Sequence, residues 1–349
     1  MGSFLTISLL LLGCDHKSTE NKVKDSSQQV VELTGKTMGT YYNIKYVTQE
    51  NDLKAKEAIQ TEIDSLLENI NDEISTYRPE SELSLFNKNP SLMPTKISDG
   101  MAKNIQISQY VGRKTQGAMD ITIGPVVNLW GFGPDKRPSL IPNESDIHLA
   151  REKTGLDKIT LTTEHDGFYL TKKHPGMYID LSTVGEGYGA DAVGDYLLSK
   201  GKTNFLVSIG GTITSRGKSH DGTDWKVAIE KPTDLEVAVQ ELINLKGQSI
   251  STAGSYRNYF EENGTRYSHV IDPNTGKPIT HKLISATVIA PSALEADAWD
   301  TGLMVLGKDK AMEVAKQNNL AVYLIYKSGN DFKVEMTEQF KEYVIKQEK

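Results

Sequence analysis

Cysteine is nearly missing: Cys14 is the only one in 349 residues. A disulfide within the chain is therefore excluded. Positive charge is not in excess either, with 39 Lys and Arg against 46 Asp and Glu and a net charge of -7. No basic stripe interleaved with aromatics occurs, and phosphate neutralisation needs clustered Lys and Arg, so nucleic-acid binding is excluded. The apolar run Phe4–Leu12 is too short to span a bilayer as a mature helix. No repeat of fixed period is found, and no linker composition after residue 30. One local absence is informative: "SALEADAWDTGLMVLG", residues 292–307, contains no Lys or Arg beside Glu295, Asp297 and Asp300. Its apolar members are those a helix buries, and a buried carboxylate is costly unless a cation or hydrogen-bond donors compensate it.

What is present describes a globular chain behind an unusual start. Apolar residues make up 38% and charged residues 24%, at a length sufficient for a large core. The run Phe4–Leu12 has the length of a signal-peptide h-region, although no Lys or Arg precedes it. It ends in Leu-Leu-Gly-Cys and resembles a bacterial lipobox, which implies cleavage after residue 13 and lipidation of Cys14. Residues 14–29 are polar without apolar period and are expected to form a flexible tether. Its reach is on the order of 20 Å. Residues 30–349 are then the folded domain.

Periodicity supplies the elements. "VVELTGKTMGTYYNIKYV" predicts two strands around a Gly-containing turn, and Ile63, Leu66, Leu67, Ile70 and Ile74 an amphipathic helix ending near Tyr77. Helices are expected over residues 100–115, 145–154, 184–199, 292–306 and 309–318. "KITLTTEHDGFYL" and "AVYLIYKSGNDFKVEM" read as hairpins, and residues 177–181 and 204–209 as strands. Hairpins outnumber βαβ units, so the expected fold is α+β, with mixed, largely antiparallel sheets, packed helices and a cleft between sub-structures.

Two segments carry chemistry. Asp297 and Thr301 are four apart on a predicted helix and share a face, and a carboxylate beside a hydroxyl suits a hard cation such as Mg²⁺. Without His or Cys nearby, zinc is disfavoured; the alternative is a carboxylate decorating a helix start. In "MYIDLSTVGEGYGAD", Thr183 and Glu186 have capping-box spacing. Asp180 and the glycines 185, 187 and 189 exceed what a cap requires, and glycine permits close approach of a backbone to a ligand. The register G-x-G-x-G is not the dinucleotide fingerprint, and no acidic residue ends the strand "NFLVSIGG". A lone His269 in "RYSHVIDPNTGKPI" is structural unless the fold carries it to a metal.

"TMGTYY", "ISTYRPESELSLFN", "GAMDITIGPVVNLWGFG", "IDLSTVGEGYGAD", "SIGGTI", "ISTAGSYRNYF", "SHVIDPNTGKPI" and "EADAWDTGLMVLG" follow one another from residue 37 to 307. In this order they resemble the FAD:protein FMN transferases of the ApbE type, which are periplasmic lipoproteins. The resemblance implies that Met38, Tyr77, Ala118, Met119, Asp120, Asp180, Glu186 and Ile271 contact FAD. It implies that Thr183, Asp297 and Thr301 lie at Mg²⁺, that His269 is a base, and that Asp180 is an alternative base. Asp300, left without a role, is expected to be partly exposed. The implied reaction transfers FMN from FAD to a threonine hydroxyl of an acceptor protein, releasing AMP. Family acceptors carry a Ser/Thr-rich site in membrane redox subunits; the chain's own "STAG" at 251–254 lacks the terminal threonine. The acceptor is then another protein, and the location a bacterial inner membrane, lipid-anchored on the periplasmic side. The rival readings are an FAD pyrophosphatase and a non-catalytic FAD-binding lipoprotein.

Overall fold

The computed structural model describes residues 28–49, 55–134, 141–232, 239–255, 259–262, 265–329 and 331–346. Cys14, the signal segment and all of the tether except residues 28 and 29 lie outside these. The tether expectation is corrected at its end, because Gln28 and Gln29 already pair with Gln49 and Thr48.

Eight strands form one sheet, in spatial order Gln28–Thr37, Thr40–Gln49, Phe205–Ile209, Thr212–Arg216, Ser249–Gly254, Leu283–Ala290, Ala321–Ser328 and Asp331–Met336. Every neighbouring pair is antiparallel. The α+β expectation holds: the strands pair antiparallel, and three of the seven pairings are hairpins between strands consecutive in sequence. The alternation of the first strands fixes which face is buried: Val31, Leu33, Tyr42, Ile44 and Tyr46 point inward. Against them pack Ile59, Ile63 and Leu67 of the helix Lys56–Ile74, together with Ala190, Val193 and Leu197. A smaller antiparallel sheet, ordered Thr95–Ile97, Gly167–Lys172, Ile159–Glu164, covers the helix Asp99–Lys114.

Two helices occupy the middle of the molecule. The glycine-rich helix Ser182–Ser199 and the acidic helix Ala293–Leu306 make an extensive mutual contact, and the acidic helix also lies on strands Ser249–Gly254 and Leu283–Ala290. Leu294, Ala298, Trp299, Leu303 and Met304 of the acidic helix belong to the largest core cluster. A helix apolar around most of its circumference is a central helix rather than a surface one.

One predicted element is absent. Residues 177–181 form no ladder strand; the segment makes an isolated bridge, Tyr178 with Ile123, a backbone bond from Asp180 N to Ile121 O, and a pair of bonds to a side chain. The buried amide of Asn87 donates to Ile179 O and accepts from Ile179 N, both at 2.8 Å. That amide takes the place of the strand partner expected for the segment.

Candidate active site

The glycine-rich helix begins one residue after Leu181, and its first turn shows why. Asp180 Oδ1 accepts from Ser182 N at 2.9 Å and from Ser182 Oγ at 2.6 Å, satisfying a donor the helix start leaves open. The Thr183–Glu186 capping box is therefore not formed. Thr183 instead directs its hydroxyl across to the acidic helix, donating to Thr301 Oγ1 at 2.8 Å. Thr301 in turn donates to Asp300 Oδ1 at 3.3 Å.

Asp297 and Thr301 share a helix face as expected, and Thr183 meets them there. Asp297 accepts from Gly187 N at 2.8 Å and from Ser251 Oγ at 3.3 Å, and Ser251 is bonded to Thr212 Oγ1 at 2.8 Å. The expectation for Asp300 is corrected: it is 1% exposed, because its helix is covered on this side too. Burial, and after it the charge of Glu186, raises Asp297 well above the usual carboxylate range. Burial, and after it Asp297, does the same to Asp300. Burial alone pushes Glu186 up to about 7. Three carboxyl groups thus crowd one place with no Lys or Arg among the groups that influence Asp297 and Asp300 most.

This donor set fits Mg²⁺. The Asp297 carboxylate and the two threonine hydroxyls are hard oxygen donors, and buried Asp300 is hydrogen-bonded to one of those hydroxyls. Among the described residues no group of three or more His, Cys, Asp and Glu is placed so that it could hold a metal ion by itself. The hydroxyls of Thr183 and Thr301 are therefore essential to the fit.

The glycines serve packing. A Cβ on Gly187 would stand 2.5 Å from Ala293 O and 2.8 Å from Leu294 Cα, so this glycine lets the acidic helix, not a ligand, come close. A Cβ on Gly189 would stand 2.9 Å from Met38 Cε. Met38 itself has φ 51° in a tight turn with Gly39 between the first two strands, a conformation that glycine or asparagine usually supplies. Gly210, also at positive φ, leaves the space that the Glu186 carboxyl fills. Met38, Glu186 and Asp297 are by these contacts parts of one region.

The remaining predicted residues are linked to the start of the glycine-rich helix through Asp180 and to one another through Phe132. Tyr77 is 63% exposed, its hydroxyl 3.4 Å from Phe132 O. Partial desolvation, and after it the charge of Asp180, holds its phenol above the ordinary range. Half-buried His269 meets Phe132 edge-on at 6.4 Å between ring centroids. Phe132, Phe260, Tyr267 and Trp130 form a continuous aromatic stack that the sequence reading missed; aromatics separated by over a hundred residues give no local period. Asp180 N donates to Ile121 O, which brings the 118–120 segment alongside. Within it Ala118 and Met119 are buried, and Asp120 accepts from Thr122 N at 2.8 Å and Thr122 Oγ1 at 2.6 Å. Burial pushes Asp120 up to about 6 against those bonds. Ile271 is 6% exposed, packed with Val126, Trp130 and Ile147. Ser251, Thr212 and Asn87 were also missed; single polar residues inside strands and short helices carry no spacing signal.

The fold and the site define an α+β protein with a buried, acidic oxygen-donor centre between two central helices, flanked by an aromatic wall. Residues 38–324 match the ApbE family. The FAD:protein FMN transferase of Escherichia coli (strain K12) is 48% identical over 346 residues, covering 98% of this chain and 97% of that protein. The protein of that name from Vibrio cholerae serotype O1 is 43% identical over 338 residues, 97% of each. Among solved structures, the flavin transferase ApbE from Vibrio cholerae matches with a TM-score of 0.82 at 43% identity, over 90% of this chain and 99% of that one. The apo flavinyl transferase ApbE of Pseudomonas stutzeri matches with a TM-score of 0.82 at 37% identity, over 90% and 96%. The chain belongs to the ApbE family.

Proposed function

We propose that this chain is an FAD:protein FMN transferase that depends on Mg²⁺, modifies a threonine of an acceptor protein and releases AMP. The observation that carries this reading is the pair of buried acids on one helix, Asp300 hydrogen-bonded to Thr301 and through it to Thr183, and Asp297 held by Gly187 N and Ser251 one turn away. The relatives' names supply the donor and acceptor classes.

Asp297, Thr183 and Thr301 would hold the metal. When bound, Mg²⁺ neutralises charge on the pyrophosphate of FAD. The N-terminal turn of the glycine-rich helix adds the positive end of its dipole at the same place. Tyr77 and the aromatic wall offer apolar faces to the flavin, and Met38, Glu186 and the 118–120 segment bound the rest of the donor. The acceptor oxygen attacks the FMN-side phosphorus, the bond from that phosphorus to the bridging oxygen breaks, and AMP departs with the bridging oxygen. The hydroxyl proton passes to His269, or to Asp180 if the histidine is too far. Positioning and electrostatics would supply most of the rate, and a base about 10²–10⁴-fold. The acceptor is taken to be a membrane redox subunit with a Ser/Thr-rich site, reached from a Cys14 lipid anchor on the periplasmic face of the inner membrane.

Purified protein with FAD, an acceptor peptide and titrated Mg²⁺ tests the reading. Flavin fluorescence should appear on the denatured acceptor only with metal, and Asp297→Ala should abolish it while the far-UV spectrum is kept. FMN and AMP released without acceptor labelling would favour the pyrophosphatase; bound, unreacted FAD would favour storage. Wild-type transfer by Asp297→Ala would remove Asp297 from the metal site.

A further inference from the structure

We infer that Asp191 is a positioning residue for the metal-binding centre, acting by fixing the axial register of the two helices that build it. The inference rests on the Mg²⁺ reading of Asp297, Thr183 and Thr301.

The two central helices are antiparallel and are joined by three polar rungs. Thr183 meets Thr301, Gly187 N meets Asp297, and Asp191 meets Ala293 and Leu294. From rung to rung the chain advances four residues in the glycine-rich helix and retreats four in the acidic one. Each rung is thus about one helical turn from the next. The first two rungs contain proposed metal ligands. The third contains none: Asp191 Oδ1 accepts from Ala293 N and Oδ2 from Leu294 N, both at 2.9 Å.

The geometry of that rung suits a register stop. One carboxylate gripping two successive N–H groups fixes both rotation and rise, since a slip of one residue moves the helix by about 1.5 Å and turns it by about 100°. Apolar packing alone would hold the register weakly here. Small residues meet between the helices, Gly187 against the backbone of Ala293 and Leu294 and Ala190 in one core cluster with Ala293, and these offer no knobs large enough to lock into holes. Ser292 Oγ caps only one of the N–H groups that the start of the acidic helix leaves open, Glu295 N at 3.1 Å, and Asp191 satisfies two more from the neighbouring helix. Ser292 acts within one helix, whereas Asp191 ties that helix to the other.

This difference supplies the test. MgCl₂ is titrated calorimetrically into the purified full-length protein, with and without FAD, for wild type, Asp191→Ala, Asp191→Asn and Ser292→Ala, with a urea unfolding curve for each. Asp191→Ala should weaken Mg²⁺ binding about tenfold or more, a loss typical of residues that orient metal ligands. Ser292→Ala should lower the midpoint of the urea curve and keep wild-type Mg²⁺ affinity. Asp191→Asn, with one accepting oxygen left, should fall between and serves if the alanine variant does not fold. Equal Mg²⁺ affinity in wild type and both Asp191 variants overturns the inference, as does an affinity loss in Ser292→Ala as large as theirs. No Mg²⁺ binding by wild type in either condition overturns the metal reading and the inference with it.

Discussion

Asp120 and His269 are titratable residues whose surroundings make separate tests possible. Burial raises Asp120 to about 6, above its unfolded value, so the folded state keeps a proton the unfolded chain has released between about pH 4 and 6. Its contribution is fully present below about pH 4 and is lost as the pH rises through 6. Measured by urea unfolding without FAD, the stability of wild type relative to Asp120→Asn should therefore fall by on the order of 2–3 kcal/mol between pH 4 and 7. A difference that is flat or rises over that range would mean that Asp120 is not desolvated. His269 is judged by kinetics. His269→Ala should slow transfer by about 10²-fold or more while FAD affinity changes by less than roughly tenfold. If affinity and rate fall together, the imidazole positions flavin against Phe132; if neither changes, it is structural and Asp180 becomes the candidate base.

At the level of elements, the paired central helices concentrate the chemistry, and their glycines show how close packing and function are linked. Gly187→Ala would drive a methyl into the backbone of Ala293 and Leu294, which cannot rotate aside. The expected cost is about 1–3 kcal/mol, reduced but not cancelled by the better helix propensity of alanine. Mg²⁺-dependent transfer should fall with it, because the Gly187 N–H is a partner of Asp297. Gly185→Ala is the contrasting case. Its Cβ would lie 3.3 Å from Ile74 Cδ1, the mobile end of a side chain, so stability should be unchanged or slightly higher. Thermal melts of the two variants decide the matter, and equal melting temperatures would refute the packing argument. Asn87 illustrates the same link in a connecting segment: one amide substitutes for a strand and so sets Asp180 at the head of the glycine-rich helix.

For the whole molecule, no helix among the described residues is long and apolar enough to cross a membrane, and the lipid anchor proposed at Cys14 is tested separately. Cys14→Ser should move the protein from the membrane to the soluble fraction on cell fractionation; continued membrane association would eliminate the lipid anchor. How much of this architecture was legible beforehand differs by kind of information. Alternation in residues 30–47 and the apolar repeat from Ile63 to Ile74 identified their elements, because burial of one face is a local property of strand and helix periodicity. The acidic helix, and the pairing of Asp297 with Thr301 on one face, followed from spacing of four alone. The order of eight motifs gave the family. Sequence did not say that Asp300 is buried, since its covering partners lie far off in the chain. It assigned the glycines of the 185–189 run to a ligand, whereas the acidic helix fills the space beside Gly187 and Met38 that beside Gly189, for a missing side chain does not reveal what approaches. The aromatic wall, the Asn87 clamp and the rung from Asp191 to the acidic helix were decided by the tertiary structure, because each joins residues too distant in sequence for any period to couple them.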